Sequence, residues 1–120
     1  MARPVVHWEI GAQDAVRLRR FYAALFDWEF TGDPDYGLVA PSDGGIGGGI
    51  LQTRQGMPSY VSFYVGVDDL EAVLERAASL GGRTLVAPMP IQGIGSFAMF
   101  SDPEGNAIGI MAETPEQSGE

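Results

Sequence analysis

One pattern occurs twice in this chain. His7-Trp8-Glu9-Ile10-Gly11-Ala12-Gln13-Asp14 and Ser62-Phe63-Tyr64-Val65-Gly66-Val67-Asp68-Asp69 are both alternating, strand-like runs that end on an acidic residue. Each leads into an amphipathic helical pattern. The offset is 55 residues, and it also maps Leu25 onto Leu80. Identity between the halves is low, so what repeats is the pattern. A repeat of this kind predicts two copies of one supersecondary unit.

The first helix is expected to start near Asp14, whose carboxylate caps orphan amide donors and suits the positive end of the helix dipole. Leu18, Phe21, Tyr22 and Leu25 fall at i, i+3, i+4 and i+7, which predicts one buried stripe. The second helix follows Asp68 and Asp69; Leu70, Val73, Leu74 and Ala77 repeat the spacing, and Gly81-Gly82 stops it. Short extended segments follow each helix. They are Trp28–Thr31, Tyr36–Ala40 and about Ile46–Gln52 in the first half, and Arg83–Ala87, Ser96–Ser101 and Asn106–Ala112 in the second. Asp33-Pro34 and Pro41-Ser42-Asp43-Gly44-Gly45 mark turns. Asp102-Pro103-Glu104-Gly105 is a type I turn signal that should join two antiparallel strands. Thr53–Pro58 reads as the linker between halves, Pro88–Gly95 as a loop, and Thr114–Glu120 as a frayed tail.

Strand parity separates two faces. Val6, Trp8 and Ile10 share one face of the first strand; Val5, His7 and Glu9 share the other. In the fifth, Val61, Phe63, Val65 and Val67 oppose Tyr60, Ser62 and Tyr64. In the last, Ile108 and Ile110 oppose Gly109 and Met111. One face is greasy enough to take a helix. The other is expected to line a concave surface with His7, Glu9, Tyr60, Ser62, Tyr64, Gly109 and Met111, with Met99 as further wall. Trp8 and Trp28 are assigned to packing. The glycine run at 44–49 lacks the Gly-Lys-Ser/Thr ending of a phosphate loop, so it reads as structural, a bulge or a close backbone approach.

Composition closes off other classes. The chain has 120 residues, room for one core but not for two full domains. No apolar run is long enough for a membrane helix, and no apolar stretch follows the N-terminal residues as in a signal peptide. With no cysteine there is no disulfide, thiolate metal site or cysteine nucleophile. Seven basic against sixteen acidic residues give a net charge of −9, which disfavours nucleic acid and anionic membrane as partners. A cytoplasmic location is the default expectation. The one histidine, His7, excludes a His-rich metal site.

The repeated unit, a His seven residues before an Asp, and Asp102-Pro103-Glu104-Gly105-Asn106 together resemble the vicinal oxygen chelate superfamily. Its members include glyoxalase I, extradiol dioxygenases, methylmalonyl-CoA epimerase and the bleomycin- and fosfomycin-resistance proteins. The run Phe21-Tyr22-Ala23-Ala24-Leu25-Phe26-Asp27-Trp28-Glu29-Phe30 looks like the family's helix-to-strand junction, and Pro88–Gly95 looks like a small glyoxalase-like subgroup. The resemblance implies an α+β fold in which two βαβββ modules, about 4–52 and about 59–112 of a single 1–120 domain, form an open barrel-like cup. It also implies a homodimer.

Metal enzymes of this family hold a divalent ion with four strand residues. Carried over singly, those positions fall on His7, on Ser62, on Gly109 and near Gly49–Gln52, where Gln52 is the one plausible oxygen donor. A catalytic metal normally takes three protein ligands. The expectation is therefore a protein without cofactor or catalytic metal. It would bind a small, mostly apolar or planar molecule through His7, Glu9, Gln52, Tyr60, Ser62, Tyr64, Met99, Gly109 and Met111. The alternative is an enzyme of lyase, isomerase or dioxygenase type. There His7 and Glu9 act as acid and base, or as ligands of a divalent metal.

Overall fold

A computed structural model describes residues 2–33, 36–91 and 95–113. Its elements run β1 (Val5–Ala12), α1 (Ala15–Phe26), β2 (Thr31–Asp33), β3 (Tyr36–Val39), β4 (Gly47–Gln52), β5 (Tyr60–Gly66), α2 (Leu70–Ser79), β6 (Arg83–Ile91), β7 (Gly95–Ser101) and β8 (Ala107–Glu113). This is strand, helix and three strands, twice over, an α+β fold of two βαβββ modules. By contact the chain divides into two compact units. The first is Val6–Phe63; the second holds the described residues on either side of it. No helix among the described residues is long and apolar enough to cross a membrane.

In the first unit the strands lie in the order β2-β3-β4-β1. β1 and β4 are parallel; the other pairs are antiparallel. Asp14 caps α1 as expected, its carboxylate accepting from the Arg17 N–H at 3.1 Å. The helix ends on Asp27, which adopts the left-handed conformation at φ 61° and donates its N–H to the Ala23 carbonyl. Ala12, Ala15 and Ile50 form the core, with Trp8, Ile10, Leu18, Tyr22 and Phe30 packed on it. Trp8 stacks on Trp28 with centroids 4.8 Å apart. The predicted stripe on α1 is half right. Leu18 and Tyr22 face the core in line with Ala15, but Phe21 and Leu25 are rotated away from that line and are exposed. The second strand also starts later than expected, because Trp28 and Phe30 turn into the aromatic cluster before pairing begins at Thr31.

In the second unit the order is β5-β8-β7-β6, with β5 parallel to β8. Asp69 caps α2 through the Ala72 N–H at 3.1 Å, fifty-five residues after its counterpart Asp14. Gly81, at φ 104°, follows the end of α2. Val67, Leu70, Leu74, Ala98 and Ile110 form the core, joined by Val65, Val73, Phe100 and Ala112. The predicted turn joins β7 to β8. Asp102 accepts from the backbone N–H of Glu104 and Asn106 and from the Asn106 amide, all within 3.0 Å, and these bonds hold its carboxyl below the usual range.

Two further expectations are corrected. Pro88 to Ile91 belong to β6 rather than to a loop, pairing through Met89↔Phe97, Pro90↔Ser96 and Ile91↔Gly95. β6 is the edge strand, and its register shifts before Met89, so prolines fit there without breaking a ladder. The apolar face of β5 is buried only towards its end. Val65 and Val67 join the core, whereas Phe63 is exposed and Val61 is 78% exposed. Pro34, residues 92–94 and the tail from Thr114 lie outside the described residues.

Candidate functional site

The face of the first unit opposite its helix carries a connected polar cluster. Glu9, in the middle of β1, is 2% exposed. Both of its carboxylate oxygens are engaged. Tyr36 donates its hydroxyl to Oε1 at 3.0 Å, and Tyr60 donates to Oε2 at 2.7 Å. His7, on the same face by parity, has Nε2 3.2 Å from the Tyr36 hydroxyl. With the Tyr36 proton directed at the carboxylate, the phenol oxygen is the acceptor for His7. The network therefore assigns the imidazole proton to Nε2.

Glycines make this arrangement possible. Glu9 lies opposite Gly49 across the parallel β1–β4 pair, and the Tyr36 ring lies where a Cβ on Gly49 would be. A Cβ on Gly11 would likewise run into the Tyr60 ring. Gly48, on the other face, gives the same close approach to Trp8. The expected structural reading of the glycine run is met by Gly48 and Gly49, as close approach of rings to backbone.

Burial sets the protonation states. It pushes the His7 pKa below its ordinary 6.5, and the opposing pull of the nearby Glu9 charge is the smaller effect. Tyr60 is pushed well above its ordinary 10.0, first by burial, then by its hydrogen bond to Glu9 and the charge of that carboxylate. At neutral pH the imidazole and this phenol are both uncharged.

The other expected residues have surroundings of their own. Gln52 is engaged at the turn into α1. Its Oε1 accepts from the Ala15 N–H at 3.0 Å, and its Nε2 donates to the Gln13 carbonyl at 2.7 Å. Ser62 is buried and donates to the Phe63 carbonyl at 3.4 Å. In the second unit the buried Tyr64 lies over Gly109, its ring edge-on to Phe97 at 6.3 Å. Met99 is the cross-strand neighbour of Gly109, and Met111 that of Gly66 and Phe97; both are half-buried. Tyr36 is the residue that sequence reasoning missed. Its strand was anticipated, but the β3–β4 register that brings the ring over Gly49 is not written in either segment alone. The signal was the glycine run itself, which calls for a ring in a neighbouring strand.

The metal positions implied by the resemblance can be compared with these residues. His7 supplies an imidazole. Ser62 supplies a hydroxyl, and Gly49 and Gly109 supply no side chain and lie under tyrosine rings. No group of three or more His, Cys, Asp or Glu among the described residues is placed to hold a metal ion. The residues present do not fit the three-ligand set a catalytic divalent ion takes.

Comparison with known proteins places this chain in a family. The family model described as "Glyoxalase-like domain" matches residues 7–111. The putative glyoxylase CFP32 of Mycobacterium bovis is 30% identical over 89 residues, covering 74% of this chain and 34% of that protein. The anthracycline biosynthesis protein DnrV of Streptomyces peucetius is 28% identical, covering 86% of this chain and 44% of its own length. The chain thus spans between a third and a half of these curated relatives. Among solved structures, a glyoxalase/bleomycin resistance protein/dioxygenase superfamily member from Vibrio splendidus aligns with a TM-score of 0.65 at 19% identity, over 93% of this chain and 99% of that one. That likeness concerns the fold, which is the one implied by the repeated sequence pattern. With nearly its whole length matched, the chain belongs to the glyoxalase-like domain family of the vicinal oxygen chelate superfamily.

Proposed function

We propose that this chain is a small-molecule-binding protein of glyoxalase/bleomycin-resistance type that works without a catalytic metal. It takes a small, mostly apolar or planar ligand against His7, Tyr36 and Tyr60. The observation that carries this reading is the Glu9 carboxylate, buried and bonded at each oxygen to a tyrosine hydroxyl. A carboxylate so engaged orients two rings. It is not presented to an ion, and the rings it holds offer flat surfaces with polar tips. Similarity to a protein named for anthracycline biosynthesis supports a flat ligand, because anthracyclines are fused-ring molecules. Two copies associating as a homodimer is part of the same reading, and the exposed Val61 and Phe63 are apolar surface such an association would cover.

A thermal-shift screen against fused-ring quinones and a metabolite panel tests the binding. A ligand at 100 times its Kd should add about 2.7 kcal/mol of apparent stability. His7→Ala should abolish that shift. A screen with no stabilising compound refutes binding, and stoichiometric metal in the purified protein refutes the metal-free half.

A second reading rests on His7. It is half-buried, held neutral at pH 7, and aligned by Tyr36, which are the properties of a general base. In that reading the chain is a lyase or isomerase whose base is His7, with Glu9 aligning it through Tyr36. Turnover lost in His7→Ala while ligand affinity is kept would favour this enzyme over the binding protein.

A further inference from the structure

We infer that the ligand of this cluster brings its own hydrogen-bond donors, with an ammonium or amidinium preferred, and that carboxylate-bearing molecules of the same shape are rejected. This rests on the binding reading above and narrows its chemistry. The cluster holds three polar protons: the hydroxyls of Tyr36 and Tyr60 and the Nε2–H of His7. Each is committed inside the cluster. Tyr60 gives its proton to Glu9 Oε2, Tyr36 gives its proton to Oε1, and His7 gives its proton to the Tyr36 oxygen. A tyrosine hydroxyl donates once, and a neutral imidazole donates from one nitrogen. From Tyr36, Tyr60 and His7, an arriving molecule therefore meets oxygens and a charge-bearing carboxylate, since the protons of these three groups are already given within the cluster.

The phenol oxygen of Tyr60 shows what this means. Its proton is fixed on Glu9 by a 2.7 Å bond, and the residue that carries its lone pairs is half-buried. A cationic donor there gains a charge-assisted bond and sits near the Glu9 charge. An anion meets an acceptor with a like charge behind it, a pairing that costs affinity. The net charge of −9 acts in the same direction at low salt.

The test uses phenethylammonium and phenylacetate, probes with one ring each and opposite charge, and 2-phenylethanol as an uncharged donor. His7 is the one histidine in the chain, so its imidazole C–H signals report on the site without ambiguity. Titration followed by NMR should move those signals with phenethylammonium at a Kd at least about tenfold below that of phenylacetate, with the alcohol in between. Glu9→Gln removes the charge and introduces an amide donor, and should erase or reverse the order. Should that variant fail to fold, Tyr60→Phe decides: it removes the phenol oxygen that accepts from the cation, so the preference for the ammonium must shrink. Phenylacetate binding as tightly as phenethylammonium, or an ammonium preference unchanged in Tyr60→Phe, overturns the inference and leaves the binding site standing. If no probe moves the His7 signals, both the site and its stated chemistry fall.

Discussion

Glu9 and Tyr64 occupy equivalent positions in the two modules, fifty-five residues apart, and each lies opposite a glycine across a parallel strand pair. In the second unit the tyrosine itself covers its glycine, Gly109. In the first, the carboxylate leaves Gly49 open, and Tyr36 comes from β3 to cover it and bond the carboxylate. Gly49→Ala should therefore displace the Tyr36 ring, because the new methyl would take the place of its atoms. Overpacking of this kind costs about 1–3 kcal/mol. Chemical denaturation would measure it. Gly45→Ala is the control, since its new Cβ would meet one carbonyl oxygen, that of Ser42, at 3.2 Å. Equal stability of the two variants would show that the ring does not rest on the backbone.

Tyr60→Phe leaves a buried carboxylate oxygen without its 2.7 Å donor. Removing one partner of a charged buried hydrogen bond costs about 1.5–3 kcal/mol. The expected outcome is a lower urea midpoint with an unchanged m-value. A midpoint equal to that of the parent protein would mean that Glu9 does not depend on this phenol.

His7 should titrate below 6.5, since burial opposes its charging. The sign for stability follows. As pH falls, the unfolded chain takes up its proton first, near 6.5, so stability declines from there and levels off below the folded-state pKa. Glu9→Gln should lower the His7 pKa further, because the carboxylate charge pulls the other way. NMR titration of the single histidine reads both values. A pKa above 6.5 in the parent protein would contradict the dominance of burial.

Asp102 gives the opposite dependence. Its carboxyl is held below the ordinary 3.8 by hydrogen bonds from Asn106 and the turn backbone. Its contribution is present above that value and fades as acid takes pH down through the folded-state pKa. Asp102→Ala should lower the Tm at neutral pH and leave the protein less sensitive to acid between pH 4 and its acid midpoint. An unchanged Tm would mean that the β7–β8 turn forms without these bonds.

Much of the fold could be read from local chemistry. Asp14 and Asp69 announced both helices because an N-cap acts within three residues. The turn at 102–105 was legible for the same reason. Parity placed His7, Glu9 and Tyr60 on one face, and the structure joins Glu9 to Tyr60 directly and to His7 through Tyr36. What could not be read was anything set by register between strands distant in sequence. The partnership of Tyr36 with Glu9 spans 27 residues and depends on how β3 slides along β4. Phe21 and Leu25 were misplaced because a helical stripe gives a width and not a centre, and the small Ala15 set the centre. The role of Gln52 was hidden for a similar reason. Its side chain reaches a helix start that lies beside it only in three dimensions.

The rings resting on Gly49 and Gly109 also restrict how this chain could change. A carboxylate or imidazole introduced at either position would first collide with tyrosine, so no single replacement there introduces an ion-holding side chain without also moving the ring. Placing an ion-holding side chain at these positions would need paired replacements, a tyrosine shortened along with each glycine enlarged. Until both occur, each step alone carries a folding penalty.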